Sequence, residues 1–134
     1  MRTSRRRDRT TRIRRRAVYD AYLASQAWRA RRKAWYAAWL TSHGTPPVCL
    51  VCERAWSLRS GHLHHLTYMR IGTEEDRDLV PLCARHHRQL HQVLEGSPSW
   101  RALGREQSSL AIIGLLRRGR ASQPQGAAAV VVGP

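Results

Sequence analysis

A long amphipathic pattern covers residues 18–40, VYDAYLASQAWRARRKAWYAAWL. This stretch is rich in Ala and lacks Gly and Pro, which favours a continuous helix. On a helical wheel Trp28, Trp35 and Trp39 fall within about 40° of one another and share one face. A stripe of this kind more often packs into a core than stacks on bases. We therefore predict an amphipathic leading helix over residues 18–40, with its Trp face in the core.

Beyond residue 40 the pattern breaks into short elements separated by Gly and Pro, which mark turns. In chain order we predict a helix break at 41–47, a knuckle, VCLVCERAW, at 48–56, a strand at 61–69, a polar loop at 70–78, an extended stretch around Pro81 and a helix from about Ala84 to Gly96. Residues 97–134 are predicted to hold one short helix and a loose, low-complexity tail.

Positive charge is concentrated at the N-terminus. The formal net charge is +15, and residues 1–16 contain nine Arg and one Asp, whereas residues 49–96 contain six Arg and six acidic residues. A basic flank beside a neutral segment is typical of proteins that bind polyanions through phosphate contacts, although a basic tail can also serve solubility alone. We interpret residues 1–17 as a disordered basic arm that binds nucleic acid.

Nine basic residues of the arm and of the leading helix are candidates for phosphate contacts. They are Arg5, Arg6, Arg7, Arg14, Arg15, Arg16, Arg31, Arg32 and Lys33. The N-terminus has no apolar core of a secretory signal, and no apolar run approaches the ~20 residues of a membrane span. An Arg-rich start also resembles an organellar transit peptide, but the cytoplasm is the default expectation. Three cysteines, an odd number, argue against a disulfide framework.

Two short motifs place metal-ligand residues at matched spacing. Cys49 and Cys52 form a C-x2-C pair, and Cys83 and His86 repeat that spacing further along the chain. Such turns direct two ligands at one point, and Cys3His is a ligand set of closed structural zinc sites. We predict that these four residues bind a structural Zn²⁺; the alternative is three unrelated buried cysteines. His87 could replace His86 in this set, although the x2 spacing favours His86.

The remaining histidines predict a second metal site. His87 and His91 lie four residues apart on one face of the predicted helix, where two imidazoles can bind one ion. His64 and His65 face opposite ways on an ideal strand, so one could complete this site and the other act as a general base. Fewer than four protein ligands leave positions for water or substrate, as metal-assisted phosphodiester hydrolysis requires. In the simpler alternative, His91 and His62 are polar surface residues.

The run CLVC … HLHHLTYMRIGTEEDRDLVPLCARHHRQLH, from Cys49 to His91, resembles the HNH endonuclease family in its zinc-stapled bacterial and phage form. It covers about a third of the chain, and YDAYLASQAWRARRKAW resembles the helix that often precedes the knuckle there. The family fold is a ββα-metal finger, in which two short strands and a helix hold one catalytic divalent ion. The resemblance implies a small α+β fold with an HNH nuclease domain over residues 41–96, preceded by the basic arm and the amphipathic helix.

The resemblance also implies roles for individual side chains. His65 would be the general base, and Asp78 stands where the family has its central Asn, whose hydrogen bonds orient the loop and the base. An ionised Asp cannot donate such a bond, but it could hold His65 in one tautomer. A second departure is His86, where a Cys is more usual. The catalytic ion, which is Mg²⁺, Mn²⁺, Ni²⁺ or Zn²⁺, would be held by His64, His87 and His91, the last being alternatively a phosphate contact.

The function that the resemblance implies is a metal-dependent DNA endonuclease, a hydrolase in the cytoplasm of a bacterial or phage-infected cell. Its partner would be DNA, bound largely through phosphates, with a phage terminase or another DNA-processing protein as a further partner. A non-catalytic, zinc-stabilised nucleic-acid-binding module is the alternative, because it needs only the Cys3His set and the basic flanks. A packaging or scaffold protein that has lost cutting is a third reading, which Asp78 would favour.

Overall fold

The computed structural model of the chain describes residues 2–122, and the side chains of residues 4–121. Within this range the fold is small α+β, with five helices, a 3-10 turn and a two-stranded antiparallel sheet. The elements are α1 (Arg2–Leu23), α2 (Gln26–His43), β1 (His62–His65), the 3-10 turn (Asp76–Asp78), β2 (Leu79–Leu82), α3 (Ala84–Gly96), α4 (Pro98–Ala102) and α5 (Arg105–Ser122). None of these helices is both long and apolar enough to cross a membrane.

The N-terminal segment is helical where the sequence predicted a disordered arm over residues 1–17. α1 runs from Arg2 through the arginine cluster to Leu23. Arg is a good helix former and the segment lacks Gly and Pro, so backbone preference prevails over the repulsion between arginines one turn apart. Residues 4–18 are exposed along this helix. The prediction of disorder is therefore wrong for residues 2–17, and the arginines lie on a helical surface.

The predicted leading helix over residues 18–40 is divided between α1 and α2. α2 begins after Ser25, whose hydroxyl accepts a hydrogen bond from the backbone N–H of Trp28. This N-cap starts a new helix within an Ala-rich stretch that otherwise favours continuity. α2 ends, as predicted, at Gly44, which adopts a left-handed φ of 72° and donates its N–H to the carbonyl of Leu40.

Two hydrophobic clusters form the core. In the first, Trp28 and Trp35 of α2 are buried against three residues around the sheet, Trp56, Leu63 and Leu79, which confirms the predicted core role of the Trp face. The second cluster joins the cysteine knuckle to β2, α3 and α5. Its buried members are Cys49, Val51, Leu82, Leu90, Leu94, Ile112 and Ile113.

The sheet and the C-terminal helices frame the candidate sites. β1 pairs with β2, His62 lying opposite Leu82 and His65 opposite Leu79, and is shorter than the strand predicted over 61–69. α3 matches its prediction. The one short helix predicted within residues 97–134 is present as part of the longer α5, which packs against α3, whereas α4 was not predicted. The rest of the predicted tail, 123–134, lies outside the described residues.

Candidate metal centres

The four residues of the predicted zinc set converge on one point, and together we call them the Cys3His cluster. Ligand atoms of Cys49, Cys52, Cys83 and His86 all lie within 4.8 Å of one another. The Nδ1 atom of His86 is 3.7 Å from the Cys49 sulfur and 3.2 Å from the Cys83 sulfur, and the Cys52 and Cys83 sulfurs are 3.9 Å apart. Tetrahedral zinc with bonds of about 2.0–2.3 Å has edges of about 3.5–3.8 Å. The Cys3His cluster is therefore compatible with a structural metal such as zinc.

Local backbone geometry positions His86 and favours the thiolate form of Cys49. Cys83 is the N-cap of α3, which places His86 in the first turn of that helix. Burial raises the pKa of the Cys49 thiol, but backbone N–H groups of Cys52, Cys83 and Val51 outweigh burial and bring this pKa below its ordinary value. The thiolate, which is the form that binds metal, is thereby favoured at Cys49.

A second group, the histidine cluster, joins β1 to α3. Ligand atoms of His64, His87 and His91 lie within 4.8 Å of one another, and the Nε2 atoms of His87 and His91 are 3.1 Å apart. His64 is fully buried, whereas His87 and His91 are half-buried, so this cluster reaches solvent along α3. The exposed ring of His62 stacks on His87 at a centroid distance of 4.8 Å. The structure thus groups His64, and not His65, with the two helix histidines.

Hydrogen bonds orient two imidazoles of the histidine cluster. His64 Nε2 lies 2.9 Å from the hydroxyl of Ser109 on α5, while its Nδ1 is buried without a partner among residues 2–122. His91 Nδ1 lies 3.4 Å from a carboxylate oxygen of Glu95. A partner on one ring nitrogen leaves the other nitrogen as the ligand atom. A buried ring nitrogen without a partner, in a cluster whose ligand atoms lie within 4.8 Å of one another, fits a divalent ion, because buried polar atoms in native proteins normally have partners.

The histidine cluster is held in its neutral form. Burial and then the charge of Arg105 bring the pKa of His64 far below its ordinary value. Burial and the neighbouring His91 lower the pKa of His87 to about 3. At His91, burial and Arg105 lower the pKa and outweigh Glu95, which raises it. Neutral imidazole is the metal-binding form, so the fold favours the protonation state that a metal site needs.

His65 faces away from the histidine cluster, which confirms the opposite orientation predicted for neighbours on a strand. Its imidazole is 1% exposed and stacks on Trp28 at a centroid distance of 4.8 Å. Nε2 of His65 lies 2.8 Å from Glu74, and Nδ1 lies 3.4 Å from the hydroxyl of Tyr19 on α1. The same carboxylate accepts a hydrogen bond of 2.7 Å from the Tyr22 hydroxyl.

The His65–Glu74 pair has a preferred charge state. Burial lowers the pKa of His65 more than Glu74 raises it. Burial raises the pKa of Glu74, but hydrogen bonds from Tyr22 and His65 outweigh burial and lower it. A neutral His65 then donates its Nε2–H to an ionised Glu74, which leaves the lone pair on Nδ1. Nδ1, which faces Tyr19, is thus the basic atom of His65.

The carboxylate of Asp78 is not hydrogen-bonded to His65, which corrects the suggestion that it could hold that histidine in one tautomer. Its carboxylate is 3% exposed and accepts hydrogen bonds from the guanidinium of Arg70 and the backbone N–H of Glu75. Asp78 therefore fixes the loop, while Glu74 is the carboxylate on His65. Sequence reasoning missed Glu74 because it is one of four acidic residues in the segment TEEDRD, where spacing gives no signal.

A groove of about 1100 Å³ opens beside the histidine cluster, and we call it the basic groove. Its lining includes Arg14, Arg15, Arg16 and Tyr19 of α1, Tyr68 and Met69 of the loop after β1, and His91 and Glu95 of α3. Three of the predicted phosphate contacts thus share a surface with a candidate metal ligand. Arg5, Arg6 and Arg7 are exposed further along α1, and Lys33 is exposed on α2.

Arg31 and Arg32, also predicted as phosphate contacts, are engaged within the fold. Arg31 donates a hydrogen bond of 2.5 Å to the carboxylate of Asp76. Arg32 donates to the carbonyls of Leu58 and Gly61 at 2.9 and 2.8 Å. These bonds tie α2 to the loops on either side of β1. Both guanidinium groups are therefore poor candidates for phosphate contacts.

Comparisons of the chain with protein-family models, with curated proteins and with solved structures found no match. The structure by itself supports a coarse description, a small α+β protein with a Cys3His cluster compatible with a structural metal. Any assignment to the HNH family depends on the motifs and on the geometry of these side chains.

Proposed function

We propose that this protein is a metal-dependent endonuclease of the HNH type that hydrolyses phosphodiester bonds in DNA. The observation that carries the proposal is the convergence of His64, His87 and His91 beside the basic groove. Three neutral imidazoles leave coordination positions for water or a phosphate oxygen. The order of the surrounding elements, β1, β2 and α3, also supports a ββα-metal finger.

Each of these side chains has a role in the proposal. A divalent ion held by His64, His87 and His91 would supply Lewis-acid stabilisation of the phosphate and of the leaving oxygen. His65, oriented by Glu74, would accept a proton from water at Nδ1, and a general base of this kind contributes about 10²–10⁴-fold. Arginines of the basic groove would position the DNA backbone without reading its sequence.

Tyr19 stands between the basic groove and the proposed base. It lines the groove, and its hydroxyl lies 3.4 Å from Nδ1 of His65. A phosphate in the groove would therefore reach His65 only after Tyr19 moves aside or passes the proton on. Because α1 carries both Tyr19 and the groove arginines, binding of DNA along α1 is the event that would move it.

The burial of His65 is also the observation that favours the second candidate, a non-catalytic, zinc-stabilised module that binds nucleic acid. At 1% exposure the imidazole can serve as a core residue, paired with Glu74 and stacked on Trp28. In that case the Cys3His cluster would stabilise the fold and the basic groove would bind DNA, with no cleavage.

Cleavage of supercoiled plasmid at low salt separates these two functions. The wild type, His65→Ala, and the matched control His43→Ala, which changes an exposed histidine at the end of α2, would each be assayed with Mg²⁺, Mn²⁺, Ni²⁺ or a chelator. Zinc content and DNA affinity are checked first. We expect the wild type and the control to cut with added metal, and His65→Ala to bind DNA but cut about 10²–10⁴-fold more slowly. If the zinc-loaded wild type binds DNA but does not cut it with any of the metals tested, the protein is the non-catalytic module.

A further inference from the structure

Arg105, the first residue of α5, is a cation with an incomplete set of hydrogen bonds. Its Nε donates to the carbonyl of His65 at 2.8 Å, and its guanidinium lies 4.0 Å from the ring centroid of Tyr68. Its Nη2 is buried and has no hydrogen-bond partner among residues 2–122. A buried charged donor without a protein partner is unfavourable for folding unless a ligand or an ordered water supplies the acceptor.

The charge of Arg105 reaches the histidine cluster. It contributes to the low pKa of each of its members, His64, His87 and His91, in every case after the larger effect of burial. Through its bond to the carbonyl of His65, the same side chain also holds the end of β1. Arg105 therefore contacts the strand that carries the proposed base, and its charge acts on the proposed metal ligands.

Arg105 also lies close to the basic groove. Burial lowers the pKa of its guanidinium, while Tyr68, Tyr19 and Glu95 act to raise it. These three residues line the groove together with His91. Arg105 itself lines a neighbouring cavity of about 540 Å³ with Leu66 and Leu103, and it meets the groove through Tyr68, whose ring its guanidinium contacts. Arg14, Arg15 and Arg16 line the groove directly, on α1.

A second polar residue of α5 also contacts a histidine of β1. Ser109, one turn beyond Arg105, is fully buried and lies 2.9 Å from Nε2 of His64. Two polar side chains one turn apart on α5 therefore face the region of β1 that holds the two neighbouring histidines. The zinc-stapled run that ends at His91 includes neither of them.

We propose that Arg105 is a phosphate-binding residue of this site, and that its Nη2 donates to a non-bridging oxygen of the phosphodiester held at the histidine cluster. The inference rests on the proposed function and extends it to α5. A guanidinium suits this task because its planar donors match a phosphate and its charge persists after partial burial. The arginines of α1 would then contact flanking phosphates.

The test compares wild type with Arg105→Gln and with Arg101→Gln, which removes an exposed arginine from neighbouring α4. One arm titrates inorganic phosphate into zinc-loaded protein at low salt and follows the ³¹P linewidth. The other arm measures single-turnover cleavage and DNA affinity separately. We expect Arg105→Gln to weaken phosphate binding at least tenfold and to slow cleavage at saturating DNA about 100-fold, with DNA affinity changed less than threefold. Arg101→Gln should match the wild type in both arms.

The two arms separate the failure of this inference from the failure of the proposed function. If the wild type never cuts but its phosphate binding depends on Arg105, the anion site stands and the nuclease proposal falls. If Arg105→Gln binds phosphate and cuts like the wild type, the inference is wrong. Should Arg105→Gln lose its fold, Arg105→Lys replaces it, since it keeps the charge without the planar fork. An Arg105→Lys protein that folds, binds phosphate and cuts at the wild-type rate overturns the inference equally.

Discussion

The Cys3His cluster and the histidine cluster use adjacent residues of one helix, His86 and His87, yet they differ in what each could do with a metal ion. The first offers four ligands, three of them sulfur. The second offers three imidazoles and is open to solvent at His87 and His91. Ligand number and exposure, and not position along the chain, therefore distinguish a site suited to stabilising the fold from one suited to chemistry.

The geometry of α3 explains how neighbours come to serve different clusters. Successive residues on a helix point about 100° apart, so His86 turns towards the knuckle while His87 and His91 turn towards β1. The same separation occurs on β1, where His64 faces α3 and His65 faces Glu74. In both elements a pair of adjacent histidines is divided by the period of the backbone alone.

The largest effect is expected when a ligand is removed from the Cys3His cluster. Apparent binding free energies of structural zinc are about 10 kcal/mol or more, so we expect Cys49→Ser to lose zinc and to lose cooperative unfolding. His91→Gln, which alters the histidine cluster instead, should keep one zinc per chain and unfold cooperatively. Metal analysis and thermal circular dichroism measure both properties. Full zinc content in Cys49→Ser would show that this cluster is not a zinc site.

A smaller effect is expected from the histidine cluster, where His87→Gln should leave the fold intact and weaken binding of the second ion about 100-fold. The reason is that one of three ligands is lost while the zinc and the core remain. Calorimetric titration of Ni²⁺ or Mn²⁺ into zinc-loaded protein measures this affinity. The neighbouring variant His86→Gln should instead lose the structural zinc, because it removes a ligand of the Cys3His cluster. Equal second-ion affinity in wild type and His87→Gln would contradict the assignment.

The basic groove supplies a third contrast, between arginines that line it and arginines that do not. Replacing Arg14, Arg15 and Arg16 together with Gln should weaken DNA binding about tenfold and reduce the slope of log affinity against log salt by up to about 3. The same change at residues 5–7 should have a smaller effect on both. Fluorescence anisotropy at several salt concentrations provides the measurement. If the two triple variants behave alike, the groove has no special part in binding.

The smallest effect concerns pH. Burial lowers the pKa of His87 to about 3 in the folded protein, whereas a histidine in the unfolded chain titrates near 6.5. Below pH 6.5 the unfolded state therefore binds more protons, so stability from the neutral imidazole is complete above pH 6.5 and is lost as pH falls towards 3. At pH 5.5 we expect a loss of about 1 kcal/mol from this residue.

Denaturant unfolding of zinc-loaded protein without a second ion, between pH 5.5 and 7.5, gives the slope of unfolding free energy against pH for wild type and for His87→Gln. The stability of the variant should depend less on pH, and the two slopes should agree above pH 7. Identical slopes would mean that His87 is not held neutral by the fold.

The sequence was most informative where ligands are close in the chain or repeat a spacing. C-x2-C, C-x2-H and the i, i+4 histidines each encode local geometry, and the structure brings these residues together as their spacing predicts. The alternation of a strand predicted that His64 and His65 would face opposite ways, but the choice of His64 as the metal ligand came from the family resemblance. The Trp face of α2 was predictable from a local pattern, since its period is that of the helix.

Contacts between distant segments could not be predicted in this way. Glu74 reaches His65, Ser109 reaches His64 across 45 positions, and Arg105 reaches His65 across 40. No local pattern marks these three residues, because their partners are set by packing of the loop and of α5. The helical state of residues 2–17 was missed for a different reason: charge density suggested disorder, while the helix propensity of arginine acted locally.

The place of His86 in the first turn of α3 has a consequence for the maturation of the protein after synthesis. A helix of 13 residues is marginal by itself in water, and its start is tied to the knuckle through Cys83 and His86. If zinc is what fixes that start, His87 and His91 reach their positions only in the zinc-loaded chain. Under the proposed function, a newly made molecule would not act on DNA until it had acquired zinc, and the supply of free zinc would set the time of its first turnover.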